Sequence, residues 1–370
     1  MLKLQAPPRN VCLLRLSAIG DACHVVPLLR TLQQAWPEAQ FTWIIGRIEH
    51  RLMGLLPEVD FLVLDKRAGL SGLRALRATL QGRKFDVLLH LQLALRASLV
   101  AAMVQAPVKL GFDRARAREL QWLFTNRRIA AREREHVLDS FLGFAAACGV
   151  RDPVLRWDLP LPEAARVYAQ QLIPCSARLA DADIALPAAP STSASPGGTL
   201  IISPCASHVL RNWRAERYAA IAMHAIKHHG MRVILTGGPS APERAMGDAI
   251  AAACDLPVID QIGLDTLPQL LALLSRARVL LTPDSGPAHM ATMVGTPVIG
   301  LYAATNPQRS GPYQSRHWCV DAYPRAARQF RGSSPERLPW ATKIEQPGVM
   351  DLITVAEVCN KLDQLLASTP

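Results

Sequence analysis

A short β-branched run that empties into a polar loop and at once into a helix belongs to the strand–helix units of parallel-sheet folds. This chain carries that design twice, once towards each end. Between Val279 and Tyr302 it reads VLLTPDSGPAHMATMVGTPVIGLY. The pattern predicts a buried strand (Val279 to Leu281), a polar loop (Thr282 to Gly286), a helix (Pro287 to Val294), a Gly-Thr-Pro turn and a second buried strand (Val298 to Leu301). Runs this short and apolar suit parallel strands covered on both faces. The reactive side chains fall at the carboxyl end of the first strand, where open α/β sheets bind ligands. Pro287 fits the first helical position, and Ser285 or Gly286 the cap before it. The free N–H groups of that turn would suit a diphosphate. Asp284 and His289 flank the turn and have two readings: holding a ribose, a sugar hydroxyl or a phosphate, or serving as a cap and a packed core histidine.

The earlier copy is VCLLRLSAIGDACHVVPLLRTLQQAW. A strand (Val11 to Leu16) passes through Ser17-Ala18-Ile19-Gly20-Asp21 into a helix with Val25, Leu28, Leu29, Leu32 and Trp36 at helical spacing. Gly20 permits a tight turn, and Asp21 stands at the helix start, where the dipole favours a carboxylate. Asp21 is therefore either a cap or an exposed general base. Two such loops suggest two nucleotide-fold domains facing a shared cleft.

At 370 residues, 50% hydrophobic and 19% charged, the chain is globular and long enough for two cores. No apolar run reaches bilayer-spanning length, and MLKLQAPPRN lacks the apolar core of a signal peptide. The eight cysteines stand singly without Cys-X-X-Cys, which suggests a reducing, cytoplasmic setting with no disulfide frame and no zinc site. The net charge of +11 points to an anionic partner, with Arg-rich stretches over 66–84 and 109–134. Only 5% of residues are aromatic and no aromatic–basic stacking motif appears, so nucleic acid is not the expected partner.

Alternating apolar runs and helical patterns fill both halves. The expected organisation is a first domain over 1–175, an Ala/Pro/Ser-rich linker over 176–198, a second domain over 199–350 and a C-terminal helix over 351–370. No Gly-X-Gly-X-X-Gly follows the first strand, which argues against a dinucleotide oxidoreductase.

These residues, with DVLLHLQ, KLGFDRAR, RNWRAERYAAIA, VILTGGP and MDLITVAEV between and after the two signatures, resemble the ADP-heptose lipopolysaccharide heptosyltransferases of glycosyltransferase family nine. The resemblance implies an α/β GT-B fold of two doubly wound Rossmann-like domains. It also implies inverting transfer of heptose from ADP-heptose to Kdo of lipid A, or phospho-Kdo-lipid A, in the lipopolysaccharide inner core. It makes Asp21 the base that takes the acceptor proton. Arg211 stands where the family has a lysine acting on the diphosphate. The donor side would include Ser203, Ser207, Thr236, Gly237, Gly238, Glu243, Asp284, Ser285, Gly286 and His289. The acceptor side would include Ser17, Gly20, His24, Arg96, Lys109, Arg114, Arg116 and Arg118. Asp181-Ala-Asp183 has the spelling of a metal-holding pair, but it lies in the linker with no strand before it, so no metal or cofactor is expected. The resemblance places the chain in the cytoplasm, peripheral at the inner leaflet of the membrane. Alternatives are a later-acting heptosyltransferase, a transferase of another nucleotide sugar, and a basic polyanion-binding module without catalysis.

Overall fold

The computed structural model describes residues 6–174 and 197–368. The expected linker and its Asp181-Ala-Asp183 pair lie almost wholly outside the described residues. The chain falls into two compact units, Met1–Pro160 and Leu161–Pro370.

The first unit runs β1 (Asn10–Leu14), α1 (Ile19–Ala35), β2 (Gln40–Gly46), α2 (Arg47–Met53), β3 (Val59–Leu64), α3 (Gly69–Leu80), β4 (Val87–His90), α4 (Leu95–Met103), β5 (Val108–Gly111), β6 (Arg127–Arg128) and α5 (Val137–Ala147). Its sheet has the order β3-β2-β1-β4-β5-β6 and every pair is parallel. Leu13 lies in register with Trp43 on one side and Leu89 on the other. Val11 to Leu14 are completely buried, as a strand covered on both faces requires. Fully burying one such side chain stabilises the fold by about 1.5–3 kcal/mol. Cys12, Leu14, Ile44, Leu62, Leu88 and Val100 share one cluster.

The second unit runs α6 (Glu163–Leu172), β7 (Thr199–Ile202), α7 (Ala215–His229), β8 (Arg232–Leu235), α8 (Ala241–Ala252), β9 (Ile259–Asp260), α9 (Leu267–Arg276), β10 (Val279–Pro283), α10 (Gly286–Met293), β11 (Val298–Tyr302), α11 (Pro307–Ser310), β12 (Val320–Asp321), α12 (Tyr323–Arg331) and α13 (Val355–Ser368). Its parallel sheet has the order β12-β11-β10-β7-β8-β9. Helix ends follow local chemistry. Thr266 and Gln269 form a reciprocal capping box on α9, and Gly230 ends α7 at φ +59°, a conformation that glycine adopts without a Cβ penalty.

The unit boundary falls ahead of residue 175. α6 buries Ala165 and Ala169 and packs against α9, with the Tyr168 hydroxyl donating to Gln261 Oε1 at 2.7 Å and Arg232 donating to Leu172 O at 2.7 Å. α13 is likewise part of the second core, through Val358, Leu362 and Leu365.

Candidate functional sites on two switch-point loops

In the first sheet the strand order reverses between β1 and β4, so the loops after these strands diverge and leave a crevice at their carboxyl ends. Arg15 to Ala18 form the first loop. Asp21 is the third residue of α1, not its cap; Ala18 holds the cap position. Asp21 Oδ2 accepts from Ala18 N at 3.4 Å and from Arg15 Nη2. Its Oδ1 receives no hydrogen bond from the described residues, and the side chain is 32% exposed. One carboxylate oxygen thus stabilises the helix start from the third position, and the side chain keeps exposed surface.

Arg15 organises this loop, and the sequence reading missed it. Its Nη1 donates to Leu91 O at 2.6 Å, tying the end of β1 to the loop after β4, and its guanidinium lies over the Phe141 ring at 5.4 Å. Gln92 adds a second tie: Leu16 N donates to its Oε1 at 2.7 Å, and its Nε2 donates to Ser17 Oγ at 3.3 Å. Gln121 in turn donates to His90 O and Gln92 O. The signal was an arginine inside an otherwise apolar strand run. Gly20 is buried in the first turn of α1 and is not among the positive-φ residues, so the tight turn expected of it is absent. His24 is buried, edge-on to His136 at 5.3 Å, so it packs in the core.

The basic candidates divide. Arg96 at the start of α4, and Arg114 and Arg118 after β5, are exposed at carboxyl strand ends. Lys109 does not follow a strand end: it is the second residue of β5, half-buried, and donates to Ala101 O at 2.8 Å, and burial holds its pKa below the ordinary lysine value. Arg116 is a cross-link, paired with Asp113 and Glu135 and donating to Ser140 Oγ and Ala130 O. Beside the β5–β6 edge, Arg127, Arg128 and Arg132 border a cavity of about 650 Å³ whose lining includes Val108, Ile129 and Ala146.

In the second sheet the order reverses between β7 and β10, and these two strands deliver Arg211 and Asp284. The loop after β7 is fixed by Asn212 Oδ1 accepting from Ala206 N at 2.8 Å, the Tyr218 hydroxyl donating to Pro204 O at 3.1 Å, and Trp213 Nε1 donating to Ile353 O at 3.1 Å. Arg211 is consequently 9% exposed. Its Nε and Nη2 both donate to Glu345 Oε1, at 2.8 and 2.7 Å, while Nη1 lies 3.6 Å from Asp284 Oδ2. Burial acts to raise the Glu345 carboxyl, but the Arg211 hydrogen bonds and charge, with smaller contributions from His208 and Lys343, hold it below the usual range. Ser310 Oγ donates to Asp284 Oδ2 at 3.4 Å, and the Tyr302 hydroxyl donates to Ser310 O. Burial, and next the Asp284 charge, push the Tyr302 hydroxyl far up, so it stays neutral. Glu345 was missed; nothing near it in sequence marks it as the partner of Arg211.

Ser285 caps α10 by position but not by side chain: its Oγ bonds Thr282 Oγ1 at 2.7 Å, and Thr282 Oγ1 also donates to Ser203 O. The N–H of Gly286 and those that follow Pro287, which has none, are thus left without a side-chain cap. His289 is buried one turn on, and Ser207 is exposed. Ser203 and Thr236 are buried, and the Thr236 hydroxyl has no hydrogen-bond partner among the described residues. Glu243 folds back over the Gly237-Gly238 loop, accepting from Gly238 N at 2.6 Å and Ser240 Oγ at 3.0 Å. A Cβ on Gly238 would stand 2.8 Å from the Glu243 carboxylate, so any other residue there would push that side chain aside.

The family model for glycosyltransferase family 9 (heptosyltransferase) matches residues 73–338. The lipopolysaccharide core heptosyltransferase OpsX of Haemophilus influenzae is 37% identical over 358 residues, covering 97% of each chain. Two solved structures have the same fold. E. coli ADP-heptose lipopolysaccharide heptosyltransferase II matches with a TM-score of 0.71 at 19% identity, covering 97% of this chain and 99% of that one. E. coli heptosyltransferase WaaC, solved with ADP, matches at 0.68 and 19%, covering 96% and 99%. With two parallel six-stranded sheets and both switch-point loops in place, the chain belongs to glycosyltransferase family 9, the heptosyltransferases.

Proposed function

We propose that this glycosyltransferase moves heptose from ADP-heptose to a Kdo sugar of lipid A, with inversion, in assembly of the lipopolysaccharide inner core. The observation that carries the reading is Asp21: Oδ2 is held by Arg15 and Ala18 N while Oδ1 is open at a switch-point loop. In the step as proposed, Oδ1 takes the proton of the acceptor hydroxyl as its oxygen bonds to the anomeric carbon. The bond from that carbon to the diphosphate breaks from the opposite face, and ADP leaves with the electron pair. Charge growing on the diphosphate is met by the uncapped first turn of α10 and by the Nη1 edge of Arg211, preset donors of the kind that favour a transition state. No bound metal is used in this scheme.

The relative from H. influenzae, a core heptosyltransferase by name, and the WaaC structure with ADP support the donor and the pathway. The exposed Arg96, Arg114 and Arg118, with the arginine-bordered cavity, are assigned to the carboxylates and phosphates of the acceptor and to an anionic inner-leaflet surface. No helix among the described residues is long and apolar enough to cross a membrane, which fits attachment by charge.

The test is ADP release from ADP-heptose with Kdo-lipid A as acceptor. Asp21→Asn should lower kcat by about 10²–10⁴-fold, the ordinary worth of a positioned base, with donor binding retained. A loss below tenfold would remove Asp21 from the chemistry. Transfer to a heptosylated acceptor but not to Kdo-lipid A would move the chain to a later step.

A further inference from the structure

α7 ends with three histidines, and two of them converge on a carboxylate from another helix. His224 Nε2 and His229 Nε2 each lie 2.7 Å from one and the same oxygen, Oδ1 of Asp363 on α13. Among the described residues, these are the one group of three His, Cys, Asp or Glu side chains whose ligand atoms all approach within 4.8 Å of one another. All three are partly exposed, so an ion has an entry path.

We propose that His224, His229 and Asp363 form a binding site for a divalent transition metal, zinc in the first place, that staples α13 to α7. Two imidazoles and one carboxylate are a donor set for this borderline-soft ion, with a fourth position left for water. Donors at about 2.0–2.1 Å around a tetrahedral ion stand about 3.3 Å apart; from 2.7 Å each imidazole draws back from Asp363 by about half an ångström, and the two ring nitrogens, within 4.8 Å of each other, settle to the same spacing. The local field agrees. His229 lies in the last turn of α7, where the helix dipole favours a cation. Without an ion, both imidazoles spend an N–H on a single oxygen, and Asp363 Oδ2 has no partner among the described residues.

The ion would be structural. α7 runs back from the carboxyl end of β7 to the amino end of β8, where Arg232 follows Gly230 almost at once. The cluster therefore sits at the end of the sheet opposite the loops that carry Arg211 and Asp284. α13 already buries Val358, Leu362 and Leu365 in the core. A metal bridge would fix its azimuth and raise the resistance of this edge of the unit to opening.

Binding is read with cobalt(II) on chelator-stripped full-length protein, followed by zinc displacement. We expect one ion per chain, ligand-field bands in the visible without a strong thiolate-to-cobalt band, and a melting temperature that rises with zinc concentration. His224→Gln, His229→Gln and Asp363→Asn should each weaken binding by at least about tenfold and abolish the zinc-dependent rise in Tm. The three substitutions lie on partly exposed helix surface, and near-UV circular dichroism of the metal-free variants checks that they are folded. A strong thiolate band, equal affinity in all variants, or no stoichiometric uptake would overturn the proposal.

Discussion

Replacing Arg211 by methionine removes a guanidinium from between two carboxylates while keeping most of the side-chain volume. Glu345 Oε1 loses two charge-assisted hydrogen bonds, at 2.8 and 2.7 Å, and Asp284 loses a cation 3.6 Å away. Breaking a buried pair costs about 3–5 kcal/mol, but Glu345 is 23% exposed and can recover hydration, so the net loss expected is about 2–3 kcal/mol. For a unit of this size that is roughly 5–10 °C in melting temperature. The loss should depend on pH with a definite sign. Glu345 has a depressed carboxyl pKa in the folded state, so its stabilisation is fully present above the unfolded value of about 4.3 and disappears as pH falls through the lower folded value. In Arg211→Met that contribution is gone at every pH. The gap between the intact protein and the variant, read by urea denaturation, should be full at pH 7 and shrink below about pH 4.5. A gap that is equal at pH 7 and pH 4, or below about 0.5 kcal/mol at both, would refute the account of Arg211 as the stabilising partner of Glu345.

Asp265 gives the opposite pH sign. Burial pushes its carboxyl up to about 7, and its Oδ1 has no partner among the described residues. The folded state therefore keeps a proton that the unfolded chain releases, and stability is lost as pH rises from about 4 through 7; Asp265→Asn should add about 1–2 kcal/mol at pH 8, after discounting for partial exposure, and nothing at pH 4. Arg116→Gln should cost about 2–3 kcal/mol, because Asp113 and Glu135 are left without their shared cation, while the acceptor KM stays unchanged. Neutralising Arg96, Arg114 and Arg118 together should do the reverse, raising the acceptor KM at constant melting temperature; steady-state kinetics beside thermal unfolding separates the two.

What the sequence makes legible is what period and punctuation encode. The strand–loop–helix units around Asp21 and Asp284 appear where the apolar runs place them. The two-residue strands β6, β9 and β12 are too short to carry a period. α6 looked like the end of the first domain because local pattern says nothing about which core a helix joins. Charged residues were the weakest part of the reading. Arg114, Arg116 and Arg118 are equivalent as letters, yet one is locked to two acids and the others are exposed. That difference depends on Glu135, brought close by the path of the chain. The partnership of Arg211 with Glu345 spans 134 positions and leaves no local trace.

The two switch-point loops share a local design but balance charge differently, and the difference explains an arginine where the family resemblance sets a lysine. In the first unit one carboxylate, Asp21, faces one guanidinium, Arg15. In the second, Asp284 and Glu345 share Arg211, with His208 and Lys343 also near Glu345, so under the proposed function the two carboxylates compete with the diphosphate for Arg211. A guanidinium can satisfy Glu345 through Nε and Nη2 and still present Nη1 elsewhere, because its donors point in fixed and separate directions. A lysine ammonium is a single centre on a flexible stem and would be drawn wholly to Glu345. Arg211→Lys alone should therefore weaken ADP binding by about tenfold, the worth of one lost charge-assisted contact. Adding Glu345→Gln removes the competing charge and should restore most of that affinity, which isothermal titration with ADP would read as a coupling between the two positions. Simple additivity of the two changes would mean that Glu345 does not compete for the cation, and that the choice of arginine has another cause.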